Sequence, residues 1–203
     1  MSKKKKENPD VVRSFKEISI KCSKRMVGSY FSGTRMQHSY IAMYVLENIL
    51  INLRPKKIVE LGARWGGTTS FFGVWAAANN AQFLSLDLSD HLRDTAKRLL
   101  NRLKPNVELR YENDFNPTCI EYIKHWIGDD KSLIYCDGGD KTREIDVYSK
   151  FLTPGSIIAC HDYVSAVRPE DVSKIAKREH LKPILNEKQL AELSSRQQFW
   201  IKK

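Results

Sequence analysis

Residues 59–69 read Val59-Glu60-Leu61-Gly62-Ala63-Arg64-Trp65-Gly66-Gly67-Thr68-Thr69, which is typical of a short strand, a tight glycine turn and the start of a helix. Glycine at 62 allows the chain to turn at positive φ, and glycine at 66 or 67 allows the backbone to approach a ligand closely. Thr68 or Thr69 can cap the helix, and the free N–H groups at a helix start attract a carboxylate or a phosphate. The segment therefore predicts a ligand-binding loop between a buried strand and a helix.

Around this loop the sequence is organised as alternating strands and helices. An amphipathic helix is predicted over residues 36–53, where apolar residues recur at three- and four-residue steps. Further on, strands are predicted at 58–61, 82–88, 107–111, 132–136, 156–160, 182–185 and 198–202, and helices at 68–79, 90–104, 117–127, 142–152 and 171–180. Alternating β and α units predict an α/β fold with a Rossmann-like, doubly wound, mostly parallel sheet and helices on both faces.

Each of the first five core strands ends in glycine or an acid. These residues are Gly62, Asp87, Asp114, Asp137 and Asp162. In parallel α/β sheets, ligands bind outside the carboxyl ends of the strands. Five such residues in succession predict that the functional site lies along this edge of the sheet.

The residues at this edge indicate a particular ligand. A dinucleotide fingerprint in the glycine loop requires glycine at position 64, where Arg64 stands, so NAD is disfavoured. Glu60 can accept a hydrogen bond from an ammonium group, and the start of the helix can bind a carboxylate. An ammonium group and a carboxylate together make up an amino-acid moiety. Asp87 can bind both hydroxyls of a ribose. Asp114 is placed to meet an adenine amino group, with Phe115 as a stacking neighbour.

An amino acid, a ribose and an adenine make S-adenosylmethionine, and here the segment resembles class I S-adenosylmethionine-dependent methyltransferases. The resemblance is to small O-methyltransferases of the catechol, caffeoyl-CoA and sugar type. Their first motif, E-x-G-x-x-x-G with a following Ser/Thr, is matched by Glu60, Gly62, Gly66 and Thr68. The resemblance covers about residues 35–203 and implies seven strands, the last of them antiparallel. The cofactor-binding residues that it implies are Glu60, Gly62, Ala63, Gly66, Gly67, Thr68, Asp87, Asp114 and Phe115.

Asp137 and Asp162 end two strands that are expected to be neighbours. Metal-dependent O-methyltransferases hold a divalent cation, usually Mg²⁺, on carboxylates at these two ends. The resemblance therefore implies that Asp137 and Asp162 are metal ligands, with Asp140 and His161 as further candidates. Oxygen ligands suit a hard cation, and the metal would lower the pKa of the acceptor hydroxyl.

The chain departs from the catechol-type pattern at two positions. Where that family has Asp-Asn, this chain has His161-Asp162, which looks more like relatives that act on sugars or antibiotic-type glycosides. The family's basic lysine lies three residues after the first ligand, whereas Lys141 lies four residues after Asp137. Without a metal, His161 is the candidate general base because free imidazole titrates near neutrality. The catalytic candidates are therefore Asp137, Lys141 and His161.

Two other segments have alternative interpretations. In similar enzymes the region of residues 30–40 folds over cofactor and substrate, so its aromatics and Arg35 are expected to line an acceptor pocket. Core packing explains Met36 and Tyr40 equally well. Lys141 and Glu144 are also compatible with a solvated helix start.

Charge is distributed unevenly along the chain. Hydrophobic residues at 41% and charged residues at 29% exclude wholesale disorder. Thirteen of the 34 Lys and Arg residues, but only four of the 24 Asp and Glu residues, lie in residues 1–57, so nearly all of the net charge of +10 is N-terminal. This excess is compatible with an anionic partner or with a lysine tail that aids solubility. The nearly neutral remainder is unlike a nucleic-acid binder.

The leading hypothesis is an O-methyltransferase for a small hydroxylated acceptor such as a sugar, glycoside or phenol. A nucleic-acid methyltransferase guided by the basic N-terminus is the alternative enzyme, but the chain has no Asn/Asp-Pro-Pro-Tyr-like motif. A non-catalytic methyltransferase-fold interaction module predicts loss of the cofactor acids, yet Glu60 and Asp87 are present.

The sequence divides into a disordered basic tail at 1–10, an N-terminal helical cap segment at 11–56 and a Rossmann-like core at 57–203. No segment approaches the ~18–20 apolar residues that cross a bilayer, and the lysine-rich start is not followed by the apolar segment of a secretory signal. A cytoplasmic location is therefore expected. The four cysteines form no C-x-x-C pair and are expected to be buried thiols. A homo-oligomer is compatible with the sequence.

Overall fold

A computed structural model describes residues 29–186, 188–190 and 196–203. It contains a two-stranded hairpin, β1 (Tyr30–Phe31) and β2 (Thr34–Arg35), and a seven-stranded sheet. The strands of the sheet are β3 (Lys57–Leu61), β4 (Gln82–Asp87), β5 (Val107–Tyr111), β6 (Ser132–Cys136), β7 (Ile157–Cys160), β8 (Leu181–Pro183) and β9 (Gln198–Lys202). Their order is β5-β4-β3-β6-β7-β9-β8, so the sheet reverses its direction of winding beside β3.

Five neighbouring strands of the sheet, β3 to β7, are parallel, and β9 runs antiparallel to both β7 and β8. The predicted Rossmann-like sheet of seven strands with an antiparallel last strand is thus confirmed. Because the parallel strands share one direction, all their carboxyl ends meet at one edge, where Leu61 pairs with Leu86 and with Cys136. This common edge is the ligand-binding edge of such sheets.

Helices cover both faces of the sheet. They are α1 (Tyr40–Leu53), α2 (Gly67–Ala78), α3 (Asp94–Arg102), α4 (Pro117–Ile127), α5 (Lys141–Tyr148) and α6 (Pro169–Arg178). Successive side chains of a strand point to opposite faces, so Ile58 packs in one hydrophobic core with α1, α2 and α3, and Val59 packs in a second core with α4, α5 and α6. Burial on both sides explains why the central strands are almost wholly apolar.

The start of α1 differs from the sequence prediction. The predicted helix at 36–53 begins only at Tyr40, because the Ser39 side chain accepts from the Ala42 N–H at 3.1 Å and caps the helix there. The preceding segment, for which the sequence predicts no strand, forms the hairpin. Its tight turn uses Ser32 and Gly33, which both have positive φ.

The second half of the chain follows the prediction with smaller shifts. The helix predicted at 142–152 ends as α5 at Tyr148 and continues as a short 3-10 turn, Ser149–Phe151. Cys119, Cys136 and Cys160 are buried free thiols, as expected. The basic tail, residues 11–28 of the helical cap segment and Cys22 lie outside the described residues. Within the described part of the chain, no helix is both long and apolar enough to cross a membrane.

Candidate functional site

A cavity of about 590 Å³ opens at the carboxyl ends of the parallel strands. Eight of the nine predicted cofactor residues line it: Gly62, Ala63, Gly66, Gly67, Thr68, Asp87, Asp114 and Phe115. Asp137, Lys141 and Asp162 line the same cavity. The structure therefore brings the predicted cofactor loop and the predicted reaction centre into one space.

The glycine loop is shaped by close backbone packing. Gly62 has a φ of +95°, and a Cβ there would lie 2.5 Å from the carbonyl oxygen of Asp137. A Cβ at Gly67 would lie 2.5 Å from the carbonyl oxygen of Arg35, so the hairpin can approach α2 only because residue 67 is glycine. The predicted threonine cap is wrong: Gly66 is the N-cap and no side chain caps the helix. The N–H groups of the first turn therefore remain available to a ligand.

Two acids farther along the cavity have free acceptor capacity. The Asp87 carboxylate accepts from the Arg64 backbone N–H at 2.7 Å and, at 3.5 Å, from the Ser89 backbone N–H, which still leaves a lone pair on each oxygen for a ligand. Asp114 Oδ2 is buried with no hydrogen-bond partner among the described residues, and burial raises the pKa of this carboxyl. Beside it, the Arg143 guanidinium lies 4.1 Å from the Phe115 ring centroid and covers one face of that ring. An unpartnered buried acceptor next to an aromatic ring suits a flat base with an amino group.

Glu60 does not have its expected position. It is buried at 1% exposure and does not line the cavity. Burial raises the pKa of Glu60 to about 8, and the carboxyl accepts from the Ser85 hydroxyl at 2.6 Å. Glu60 is the last residue but one of β3, between the apolar Val59 and Leu61, and its hydrogen bond with Ser85 packs it against β4. A pKa near 8 favours the protonated, neutral carboxyl at pH 7. The contact of Glu60 with a cofactor ammonium group therefore stays a prediction, which its burial and its bond to Ser85 disfavour.

Asp137 and Asp162 share two cationic partners. Lys141 Nζ lies 3.6 Å from Asp137 Oδ1 and 3.7 Å from Asp162 Oδ2, and it donates to the Gly138 carbonyl at 3.0 Å. His161 Nδ1 lies 3.3 Å from Asp137 and 3.4 Å from Asp162. Two carboxylates this close repel each other, and these two side chains supply the compensating charge. Lys141 is thus no solvated residue of a helix start, since only 11% of its side chain is exposed.

The two histidines of this cluster differ in charge. Burial alone would lower the pKa of His161, but hydrogen bonds to Asp137 and Asp162 outweigh it and raise the value to about 9. The same contact with His161 lowers the pKa of Asp162 to about 2. Burial, followed by the repulsion of His161, lowers the pKa of His38 to about 4. At neutral pH, His161 is therefore an imidazolium and His38 a neutral imidazole.

His38 is the site residue that sequence reasoning missed. The sequence predicts only that residues 30–40 fold over cofactor and substrate, yet the Nε2 of His38 lies 3.5 Å from Asp137 Oδ2 and hydrogen-bonds the Tyr135 hydroxyl at 2.9 Å. Its ring stacks on His161 at 4.1 Å between centroids. No sequence pattern marks His38 as a site residue, because it lies 97 positions before Tyr135 and stands in front of α1 instead of at the end of a core strand. Ligand atoms of His38, Asp137 and His161 all lie within 4.8 Å of one another.

Glu144 is a second buried acid, for which a solvated position at a helix start was one alternative from the sequence. It is fully buried, its Oε2 accepts from the Gly138 N–H at 3.4 Å, and its Oε1 has no partner among the described residues. Burial, reinforced by the charge of Asp114, raises the pKa of Glu144 to about 8. This carboxyl therefore supports the loop after β6 in its neutral form.

A seven-stranded sheet of this order, with a glycine-loop cavity that runs into a carboxylate cluster, defines a Rossmann-like methyltransferase. The comparisons with known proteins then place the chain within this class. A family model described as rhamnosyl O-methyltransferase/CmcI matches residues 26–181. The chain belongs to this family of S-adenosylmethionine-dependent O-methyltransferases, and the resemblance inferred from the sequence is confirmed.

Solved structures agree on the fold. A CmcI structure with Mg and S-adenosylmethionine superposes with a TM-score of 0.64 at 17% identity, covering 86% of this chain and 77% of that chain. The S-adenosylhomocysteine-bound methyltransferase PaMTH1 of Podospora anserina gives 0.53 at 14% identity and covers 100% of both chains. MycE of the mycinamycin biosynthetic pathway, with Mg and S-adenosylhomocysteine, gives 0.55 at 12% identity over 79% of this chain and 46% of its own. No curated protein sequence matches the chain.

Proposed function

We propose that the protein transfers the methyl group of S-adenosylmethionine to a hydroxyl of a small acceptor, such as a sugar, a glycoside or a phenol. The observation that carries the proposal is the continuous cavity from the glycine loop to Asp137 and Asp162. A donor bound along the loop would present its sulfonium at the carboxylate cluster, where an acceptor hydroxyl can approach in line.

The cofactor would occupy the loop half of the cavity. Its carboxylate would lie at the uncapped start of α2, where the N–H groups of the first turn are free. Its ribose would hydrogen-bond Asp87, and its adenine would lie against Phe115 with its amino group on Asp114 Oδ2. Gly62, Ala63, Gly66, Gly67 and Thr68 would form the wall. Glu60 would act behind that wall by holding β3 to β4 through Ser85.

The acceptor hydroxyl would approach Asp137 and Asp162. Because His161 has a pKa near 9 in this arrangement, it holds its proton at pH 7 and is a poor general base. We therefore assign proton acceptance to the Asp137 carboxylate, while Lys141 and the imidazolium of His161 hold both carboxylates in place and balance their charge. This assignment replaces His161 as the base.

The residues fit a divalent cation. Ligand atoms of His38, Asp137 and His161 lie within 4.8 Å of one another, and His161 would ligate an ion only after losing the proton that it holds at pH 7. Asp162, whose Oδ2 lies 3.4 Å from His161 Nδ1, would add a second carboxylate. When bound, the ion would lower the pKa of the acceptor hydroxyl. Imidazole donors suit Mn²⁺ and Zn²⁺ at least as well as Mg²⁺, so the donor set is less selective for Mg²⁺ than carboxylates alone.

The test is methyl transfer from isotopically labelled S-adenosylmethionine to a panel of sugars, glycosides, phenols and a short RNA, with products identified by mass spectrometry. We expect label on a hydroxyl of a small acceptor and loss of transfer in Asp137→Asn, with S-adenosylhomocysteine binding retained. Label on RNA alone would support the nucleic-acid alternative. Failure to bind S-adenosylhomocysteine would contradict the proposal altogether.

A further inference from the structure

A second cavity of about 610 Å³ lies beside the first, between the β1–β2 hairpin and α3. Its lining includes Thr34, Arg35, Trp65, Arg93 and Arg98. Arg35 and Trp65 also line the cofactor cavity, so the two spaces share a wall. Nothing in the proposed methyl transfer uses Arg93 or Arg98.

The arginines of this second cavity lack the partners that other arginines of the molecule have. Arg110 pairs with Glu108 and Glu112, and Arg178 pairs with Asp146 and Glu179. By contrast, no carboxylate among the described residues lies within ion-pair distance of Arg35, Arg93 or Arg98, although Asp94 lines the same cavity. Three guanidinium groups around one cavity therefore leave an excess of positive charge.

Trp65 holds this charge in place. Its ring lies 5.1 Å from the Arg35 guanidinium, 4.8 Å from that of Arg64 and 5.9 Å from that of Arg93. Cation–π attraction offsets part of the repulsion between these groups and orients them around the ring. Thr34 and Thr95 hydroxyls hydrogen-bond each other at 2.7 Å and tie the hairpin to α3 across the cavity. Contact with Trp65 thus orients Arg35 and Arg93 before any ligand binds, although both side chains are exposed.

We propose that the second cavity binds a phosphate or diphosphate group carried by the methyl acceptor, which makes the acceptor a phosphorylated molecule such as a sugar phosphate or a nucleoside diphosphate derivative. This inference rests on the proposed function for the acceptor hydroxyl. Guanidinium groups match phosphate oxygens in bidentate geometry, and several of them together suit a group with two or more negative charges. The volume accommodates such a group together with an adjoining ring.

The shared wall explains why the anion belongs to the acceptor. Arg35 and Trp65 line both cavities, so a molecule anchored at Arg93 and Arg98 would enter the cavity that contains Asp137 along this wall. The cofactor carries one carboxylate, and the start of α2 already provides a site for it.

Binding of inorganic pyrophosphate to the full chain, measured by calorimetry, tests the inference. We expect saturable binding that weakens at least about 10-fold in an Arg93→Ala/Arg98→Ala double variant, because charge-assisted hydrogen bonds are lost. Arg102→Ala, one helical turn beyond Arg98 and outside both cavities, removes a charge from the same helix and should change affinity less than about 2-fold. S-adenosylhomocysteine affinity should be unchanged in every variant, which separates this inference from the cofactor site.

Competition then identifies the source of the phosphate. Displacement of pyrophosphate by glucose 1-phosphate or UDP, with an affinity higher than that of pyrophosphate, would support a small phosphorylated acceptor. A single-stranded oligonucleotide that binds far more tightly than either, and loses affinity in the double variant, would overturn the small-molecule assignment. Absent pyrophosphate binding, or equal binding in the double variant and the wild type, would overturn the site while leaving cofactor binding and methyl transfer intact.

Discussion

At the scale of single residues, burial decides what an acid can do. Glu60 and Asp87 were both expected to contact the cofactor because each is an acid near a glycine turn. The structure separates them: Asp87 lines the cavity, and Glu60 lies beneath it as a neutral group hydrogen-bonded to Ser85. The sequence shows residue type and spacing, but not which face of a central strand a side chain occupies when both faces are buried.

Glu60→Gln should flatten the pH dependence of stability. The pKa of Glu60 is about 8 in the folded state, which is above the value of about 4.5 in the unfolded chain. Below pH ~4.5 the carboxyl is protonated in both states and stability does not depend on its titration. Between pH ~4.5 and pH ~8, each pH unit lowers the free energy of unfolding by up to about 1.4 kcal/mol, because only the unfolded chain has lost the proton. Glutamine carries no such dependence. Chemical denaturation of the wild type and the variant at pH 5 and pH 8 measures this difference in pH dependence. The variant should keep the part of the pH dependence that comes from Glu144, which has the same sign.

The matched control for this prediction is Glu47→Gln, at an exposed position on α1. It should leave the pH dependence of unfolding unchanged. Glu60→Gln should also retain S-adenosylhomocysteine affinity within about 2-fold, since the neutral amide resembles the neutral acid. A large loss of affinity would mean that Glu60 contacts the cofactor as a carboxylate after all.

Asp87→Asn should weaken S-adenosylhomocysteine binding. The substitution keeps one acceptor oxygen for the Arg64 N–H but removes the charge that two ribose hydroxyls would share, so a loss of roughly 10- to 150-fold is expected. Asp90→Asn is the control, because Asp90 lies three residues later, pairs with Lys97 and does not line the cavity. Equal affinities for the two variants in calorimetry would remove Asp87 from the cofactor site.

At the scale of elements, the strands were easier to predict than the segments that close over them. Buried parallel strands are continuous apolar runs, and β5, β6 and β9 have the predicted boundaries. The hairpin was not predicted because strands of two residues carry no periodic pattern. Its position depends on contacts with α2 that are distant in sequence, such as the approach of Arg35 to Gly67.

Gly67→Ala should therefore displace the hairpin. A methyl group at residue 67 would overlap the Arg35 carbonyl and the Met36 side chain, and overpacking of this kind costs about 1–3 kcal/mol. The free energy of unfolding should fall by that amount in chemical denaturation. Gly139→Ala is the control, since a Cβ there meets nothing within 4 Å. Equal stability of the two variants would show that the hairpin does not depend on this approach.

At the scale of the whole molecule, the reaction centre is assembled from parts that no local pattern connects. His38 precedes α1, Asp137 ends β6, Lys141 begins α5, and His161 and Asp162 follow β7. The topology rule for parallel sheets predicted that the two strand-end acids meet, because β6 and β7 are neighbours. It could not predict His38, which the hairpin and the Tyr135 hydroxyl bring to Asp137.

This assembly leads to a prediction about metal binding. A divalent ion at the cluster has to compete with Lys141, which already lies between the two carboxylates, so its affinity depends on both acids being present. Mn²⁺ should raise the thermal midpoint of the full chain, and this shift should disappear in Asp162→Asn. Asp140→Asn is the control: the sequence made Asp140 a further candidate ligand, but in the structure its carboxylate caps α5 and it is not part of the His38–Asp137–His161 group, and asparagine caps equally well. A chelator should then abolish methyl transfer while leaving S-adenosylhomocysteine affinity intact. Full transfer in excess chelator would instead assign charge compensation at Asp137 and Asp162 to Lys141 and His161 alone.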